Sequence, residues 1–229
     1  MADETRERIL SAAGPIFAER GFAAATVREL CAAADVNQAA INYYFGGKEA
    51  LYAQTVREAH EHLEREVPVA RWAADATREE KLRQFVSTII RRVLGAEKLS
   101  WQLRLLMREM LEPTPALTQV VEQFIRPQFN TLQGIVAEFL PAGTPLHVIQ
   151  QAAFSIIGQC LHYRLSGECV SLLIPARKLK EHFDRESLID HITQFSLAAL
   201  KGYGEQGSSV MEEQPGGRQR AVAMDARER

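Results

Sequence analysis

Residues Thr26 to Lys48 read TVRELCAAADVNQAAINYYFGGK, and their spacing predicts two short helices joined by a tight turn. Thr26 accepts a backbone N–H bond and Glu29, three residues on, returns one, so T-V-R-E is a capping box that opens a helix at about Val27. Val27, Leu30, Cys31 and Ala34 follow at i, i+3, i+4 and i+7, a side made to press on a core, with Arg28 aimed elsewhere. Asp35-Val36-Asn37 breaks the pattern. Val36 is expected as a buried plug and Asn37 as the cap of a second helix over about Gln38 to Tyr44. That helix turns Ala40, Ile41 and Phe45 inward and presents Gln38, Ala39, Asn42 and Tyr43, a slim, amide-rich surface of the kind a DNA major groove admits. Gln and Asn match adenine edges, and Ala suits a thymine methyl. Tyr43, Tyr44 and Lys48 are types that hydrogen-bond or neutralise phosphates, and Lys48 opens the next helix, whose free N–H groups favour an anion. Any short amphipathic helix pair shows this spacing, so the residue identities carry the reading further than the period does.

Read outward to Arg20 and Leu51, the string R-G-F-A-A-A-T-V-R-E-L-C-A-A-A-D-V-N-Q-A-A-I-N-Y-Y-F-G-G-K-E-A-L resembles the amino-terminal signature of TetR-family bacterial transcription regulators, over roughly Arg6 to Tyr52. Within that family, N-x-A-A-I-N-Y-Y-F-G-G-K-E-x-L-Y is similar to the efflux-associated branch with a carboxy-terminal domain of unknown function. The resemblance implies groove contacts from Arg28, Gln38, Ala39 and Asn42, and backbone contacts from Thr26, Asn37, Tyr43, Tyr44 and Lys48. Asn42 stands where many relatives carry an aromatic residue, which implies a base preference unlike theirs. It also implies a homodimer through the last two helices, paired with a second copy as a four-helix interface; otherwise those helices only close the monomer core. A two-fold dimer places two readers about 34 Å apart on a near-palindromic double-stranded operator.

The first helix carries Ile9, Leu10, Ala13, Ile16 and Phe17 on its apolar side, interrupted by Gly14-Pro15. Proline inside a helix costs about 3 kcal/mol relative to alanine, so a kink is expected there. Arg20-Gly21-Phe22 reads as a stop, with Gly21 left-handed. The chain of 229 residues, 46% of them apolar, is long enough for one reader domain and a larger helical one. No apolar run approaches the roughly 18 to 20 residues that span a bilayer, and the charged start MADETRERI is not signal-like, so the expected location is cytoplasmic, with no membrane partner. Cys31, Cys160 and Cys169 lack C-x-x-C spacing and read as buried, inert thiols rather than a zinc or disulfide framework. Net charge is −2, and residues 1–50 hold five Lys or Arg against seven Asp or Glu, which excludes a blanket electrostatic binder and predicts a shallow salt slope.

Further helices are predicted from Lys48 to Glu66, from a second capping box at Thr77 to Gly95, from Leu99 to Leu111, from Pro115 to Leu140 with a kink at Pro127, from Pro145 to Leu165 and from Ser187 to Tyr203. Trp101, Arg104, Met107 and Arg108, with Phe124, Gln150, Phe154, His162 and Tyr163, make a candidate lining for a small hydrophobic or amphipathic effector. The alternative is that the aromatics are core and the arginines pair with Glu109 or Glu112. Gly202 to Gly207 spells G-x-G-x-x-G, but it follows a helix rather than a strand and is rejected as a dinucleotide turn. His60 and His62, two apart, turn to different sides of a helix, and neither H-E-x-x-H nor G-x-S-x-G occurs. No enzyme, cofactor or metal is therefore expected. The expectation is an all-α chain: a helix-turn-helix DNA-binding domain over 1–47, a helical ligand-binding and dimerisation domain over 48–203, and a disordered tail over 204–229. Its expected role is a ligand-responsive repressor, or alternatively a DNA-binding regulator that is constitutive or controlled by protein partners.

Overall fold

The computed structural model describes residues 2–69, 71–95 and 100–212, and within them the regular structure is helical throughout. Helices α1 (Ala2–Ala24), α2 (Val27–Ala34), α3 (Gln38–Phe45) and α4 (Lys48–Glu66) come first, then α5 (Arg78–Leu94) and α6 (Trp101–Leu111). A short α7 (Ala116–Val120) runs through a single wide turn, Val121–Ile125, into α8 (Arg126–Ala137). They are followed by α9 (Leu146–Leu165), α10 (Gly167–Leu173), α11 (Ala176–His182) and α12 (Arg185–Glu212).

The starts are set by side chains. Thr26 and Glu29 form the full reciprocal box at α2, and Thr77 and Glu80 form it at α5. Ser100 caps α6 by accepting from the Leu103 N–H, a start that the sequence pattern placed at Leu99, outside the described residues. Asp184 accepts from the N–H groups of Glu186 and Ser187 at the head of α12. The prolines at 115 and 145 stand one residue before α7 and α9, where a missing N–H costs nothing.

Several expected features differ. Helical backbone runs straight through Gly14-Pro15, and the one non-helical residue of α1 is Gly21, at φ 75° and ψ 175°. Two contacts from α6 brace this run: the Trp101 ring lies where a Cβ on Gly14 would come within 2.5 Å of it, and Arg108 donates to the Glu19 carbonyl at 3.0 Å. At Pro127 the relief comes just upstream: the Arg126 N–H reaches back five residues to the Val121 carbonyl, a π turn in place of a simple bend. The segment between α9 and α12, given no helices by its pattern, forms α10 and α11, and α12 runs to Glu212, past the boundary at which an irregular tail was expected. The remainder of that tail, 213–229, lies outside the described residues. Cys160 is buried and its thiol is pushed up to about 12 by desolvation, and Cys31 is half-buried, but Cys169 is exposed, contrary to a buried thiol.

Two apolar clusters organise the packing. The first joins Ile9, Ala13 and Phe17 of α1, Leu30 and Ala34 of α2, Ile41 and Phe45 of α3, and Leu51, Tyr52 and Val56 of α4 to Leu105 and Leu106 of α6 and Ala116 and Val120 of α7. The second joins α5, α8, α9 and α12 through Leu82, Phe85, Leu132, Ile135, Ile156, Ile189 and Ile192. Each fully buried Leu or Phe stabilises by about 1.5–3 kcal/mol, and Leu105 and Leu106 place α6 in the same cluster as α1–α4.

Candidate nucleic-acid interface and ligand cavity

The α2–α3 unit has the geometry the sequence predicts. Asp35 ends α2 in the left-handed region at φ 49°, Val36 packs half-buried against the first cluster, and the Asn37 side chain accepts from the Ala40 N–H at 3.0 Å to start α3. Ile41 and Phe45 are buried, which fixes the roll of α3 and leaves Gln38, Ala39, Asn42 and Tyr43 exposed on its outer side; Tyr43 is 82% accessible. Gly46 and Gly47, at φ 81° and 140°, make the turn into α4, a backbone path open to glycine and few others. Gly47 supplies no side-chain cap, so the first N–H groups of α4 have no such partner beside the end of α3.

The charges around this unit are partly spoken for. Arg20 pairs with Glu29, and the Glu29 carboxyl is held below the usual range by the Thr26 backbone N–H and then the Thr26 hydroxyl. Thr26 is thus exposed but engaged in its own cap. Lys48 lies over the Phe22 ring at 4.5 Å and reaches the Ala23 carbonyl at 3.5 Å, so its ammonium is steered toward the α1–α2 corner. Tyr44 is half-buried, edge-on to Tyr43. Arg28 is exposed, with no ion pair among the described residues.

The expected effector lining is not brought together. Of its members only Met107 borders the apolar cavity of about 170 Å³ lined by α4, α5, α6, α7, the π turn, α8 and α9. Phe124 stands behind it, stacked on His60 at 5.0 Å. Trp101 packs on Gly14, and Arg108 binds Glu112 and the Glu19 carbonyl, so both join the body to α1. Arg104 and His162 are exposed, Gln150 is half-buried, and Phe154 is 63% exposed beside Phe129; Tyr163 packs near Phe183.

The polar groups on the cavity wall are instead His60, Glu64, Arg92, Glu109 and Gln128. Glu109 is 1% exposed; its carboxylate accepts from the Tyr52 hydroxyl at 2.6 Å and from the Thr114 N–H and hydroxyl at 2.8 and 2.9 Å. Burial, and then that bond, raise the Tyr52 phenol above its ordinary value. His60 is pushed down to about 4, chiefly by burial and further by the Arg92 guanidinium. These groups had a signal in the sequence. Arg92 falls three residues after Ile89 on the stripe of α5, and Glu109 follows Leu105 and Leu106 on that of α6, charged residues where the period demands apolar ones.

A short exposed helix seated by a second across a left-handed turn, on a helical body with an apolar cavity, defines a helix-turn-helix DNA-binding transcription regulator. Residues 9–55 match the model for bacterial regulatory proteins of the tetR family, and residues 78–200 match the carboxy-terminal domain of the HTH-type transcriptional dual regulator CecR. The chain belongs to the TetR family of transcription regulators, in the group with a CecR-type carboxy-terminal domain, and that family is one of regulators rather than enzymes.

CecR of Shigella flexneri is 30% identical over 181 residues, 74% of this chain and 80% of that protein. The protein named "Probable HTH-type transcriptional regulator YttP" of Bacillus subtilis is 28% identical over 140 residues, 60% of this chain and 66% of its own length. The fold is shared with the transcriptional regulator FadR of Bacillus subtilis, whose structure holds stearoyl-CoA, at a TM-score of 0.55 and 19% identity, covering 83% of this chain and 97% of that one. Among the described residues no helix is long and apolar enough to cross a membrane.

Proposed function

We propose that the chain is a ligand-responsive repressor that acts as a homodimer on a near-palindromic double-stranded operator. Gln38, Ala39, Asn42 and Arg28 read base edges, while Thr26, Asn37, Tyr43, Tyr44 and Lys48 position the backbone. The division at about residue 47 separates the reader from the part that senses and dimerises. Dimerisation through α9 and α12 is supported by large apolar side chains exposed on both, Leu146 and Phe154 on the first and Phe195 and Tyr203 on the second.

The observation that carries the reading is the double role of α6. Leu103, Leu106 and Met107 line the cavity, while Trp101 and Arg108 of the same helix rest on α1 of the reader. A small hydrophobic or amphipathic molecule that binds better with α6 displaced draws the population toward that state and changes the distance between paired readers. A mobility-shift titration on DNA upstream of the protein's own gene tests this. The expected result is a sequence-selective shift at low salt that a cavity ligand reverses; absence of any selective shift ends the proposal.

A further inference from the structure

Among the described residues of the cavity wall, Arg92 carries a buried polar atom without a partner. Arg92 donates through Nε to the Val67 carbonyl at 2.8 Å and through Nη1 to the Gln128 amide oxygen at 2.8 Å, yet its Nη2 is buried with no acceptor among the described residues. A buried guanidinium N–H without a partner is costly, so an ordered water or a ligand acceptor is called for at this atom.

The charge at the wall is mixed, and the carboxylates differ from Arg92 in how far they are already partnered. Two carboxylates share the wall, Glu64 and Glu109. Glu109 has both oxygens engaged by Tyr52 and Thr114. Glu64 is hydrogen-bonded to Arg92 only through Gln128, which donates to it at 3.1 Å and accepts from Arg92; no ion pair joins the two among the described residues, although the Glu64 charge offsets part of the burial that lowers the Arg92 guanidinium. The charge felt at His60 is that of Arg92, and burial keeps the imidazole neutral at pH 7, able to give one N–H. Around these groups stand Leu63, Ile89, Leu106, Leu117, Ile125 and Ile157, which are apolar.

We propose that this cavity takes a small amphipathic carboxylate, its head group on Arg92 Nη2 and its apolar body among the leucines and isoleucines of α4 to α9. The size follows from the volume: a cavity of about 150 Å³ admits benzene, so about 170 Å³ takes a single ring or a short chain. A planar guanidinium matches a carboxylate better than a point charge does. The inference rests on the effector reading above and gives it a chemical class and a contact atom.

The test is a thermal-shift and calorimetric series on the full chain at pH 7.5, with octanoate, octanamide and octylamine, and with cinnamate and cinnamamide. The carboxylates are expected to bind roughly ten- to a hundredfold more tightly than the matching amides, the range one charge-assisted hydrogen bond carries, and the amine not at all. Arg92→Leu removes that preference; Arg92→Lys, which keeps the charge and loses the fork, recovers part of it. The wild-type series needs no variant, so misfolding of either substitution leaves the test standing. Equal binding of carboxylate and amide, preference for the amine, or no binding of either carboxylate at millimolar concentration overturns the proposal. The same ligands are then added to the protein–DNA complex. Carboxylate binding without DNA release keeps the ligand class and sinks the effector reading, whereas release by a neutral or cationic compound alone does the reverse.

Discussion

Gln38 and Asn42 differ from Lys48 in what they offer DNA. The two amides stand exposed on α3 and match base edges in donor and acceptor pattern, whereas Lys48 is an ammonium braced by Phe22 at the mouth of α4. Gln38→Ala or Asn42→Ala is therefore expected to change which bases are preferred, by about 1–3 kcal/mol at the position read, and Lys48→Ala to weaken all sequences alike. Selected-site sequencing checks this, and equal losses on every sequence from all three variants would refute the division. His60 makes a second prediction. Its folded pKa, about 4, lies below the unfolded value near 6.5, so the unfolded chain takes up the proton first. The stability held by neutral His60 is complete above about pH 6.5 and is lost as pH falls toward 4, by up to about 3 kcal/mol. Urea midpoints for wild type and His60→Leu at pH 7 and pH 4 should show the wild type losing more; parallel losses would mean the imidazole is not held neutral. Both residues show how far a sequence goes at this scale. Asn42 was legible because the helix period fixes which way it faces, whereas His60 was set aside as one of two histidines on opposite sides of a helix, since sequence cannot say that Phe124 lies flat against it.

Helix starts were the most legible elements. Thr26, Asn37 and Thr77 carry their own caps in sequence, and the structure opens a helix after each. Interruptions were less so, because a proline announces a missing N–H but not how the chain absorbs it. Pro127 is accommodated by a π turn one residue earlier, and Pro15 within a helix that departs from regular geometry only at Gly21. Gly21 is where substitution should be felt. At φ 75° and ψ 175° a side chain is strained, and an added Cβ would meet Arg108 Nη1 at 3.0 Å. Gly21→Ala is expected to cost about 1–3 kcal/mol and to lower Tm, with the shift reduced in Arg108→Ala, where the steric part is gone. An unchanged Tm would show that this corner has slack. Trp101 and Arg108 stand apart from the cavity for a related reason: they lie on a face of α6 that the helical period alone cannot assign to cavity or to α1.

For the whole molecule, the remaining exposed apolar surface is concentrated in the carboxy-terminal half. Phe154 and Phe195 are 63% and 59% accessible, and in the dimer proposed above they are side chains that the second copy would cover. Phe154→Glu combined with Phe195→Glu is expected to give a monomer by light scattering, with helical content kept and operator binding lost. A dimer that survives both changes would place the interface elsewhere. The family was legible from residues 20–51 alone, because that stretch is dense with turn and cap chemistry; the cavity was not, since helices distant in sequence build it.

The core shared by α1–α4 with Leu105, Leu106, Ala116 and Val120 has a consequence for anyone who rewires such regulators. A hybrid made by cutting after α4 and joining another protein's sensing half would take Leu105, Leu106, Ala116 and Val120 out of the cluster that the DNA-recognising module shares with them. A workable hybrid keeps α6 and α7 with the module, which places the seam not at one point in the chain but around a non-contiguous piece of it.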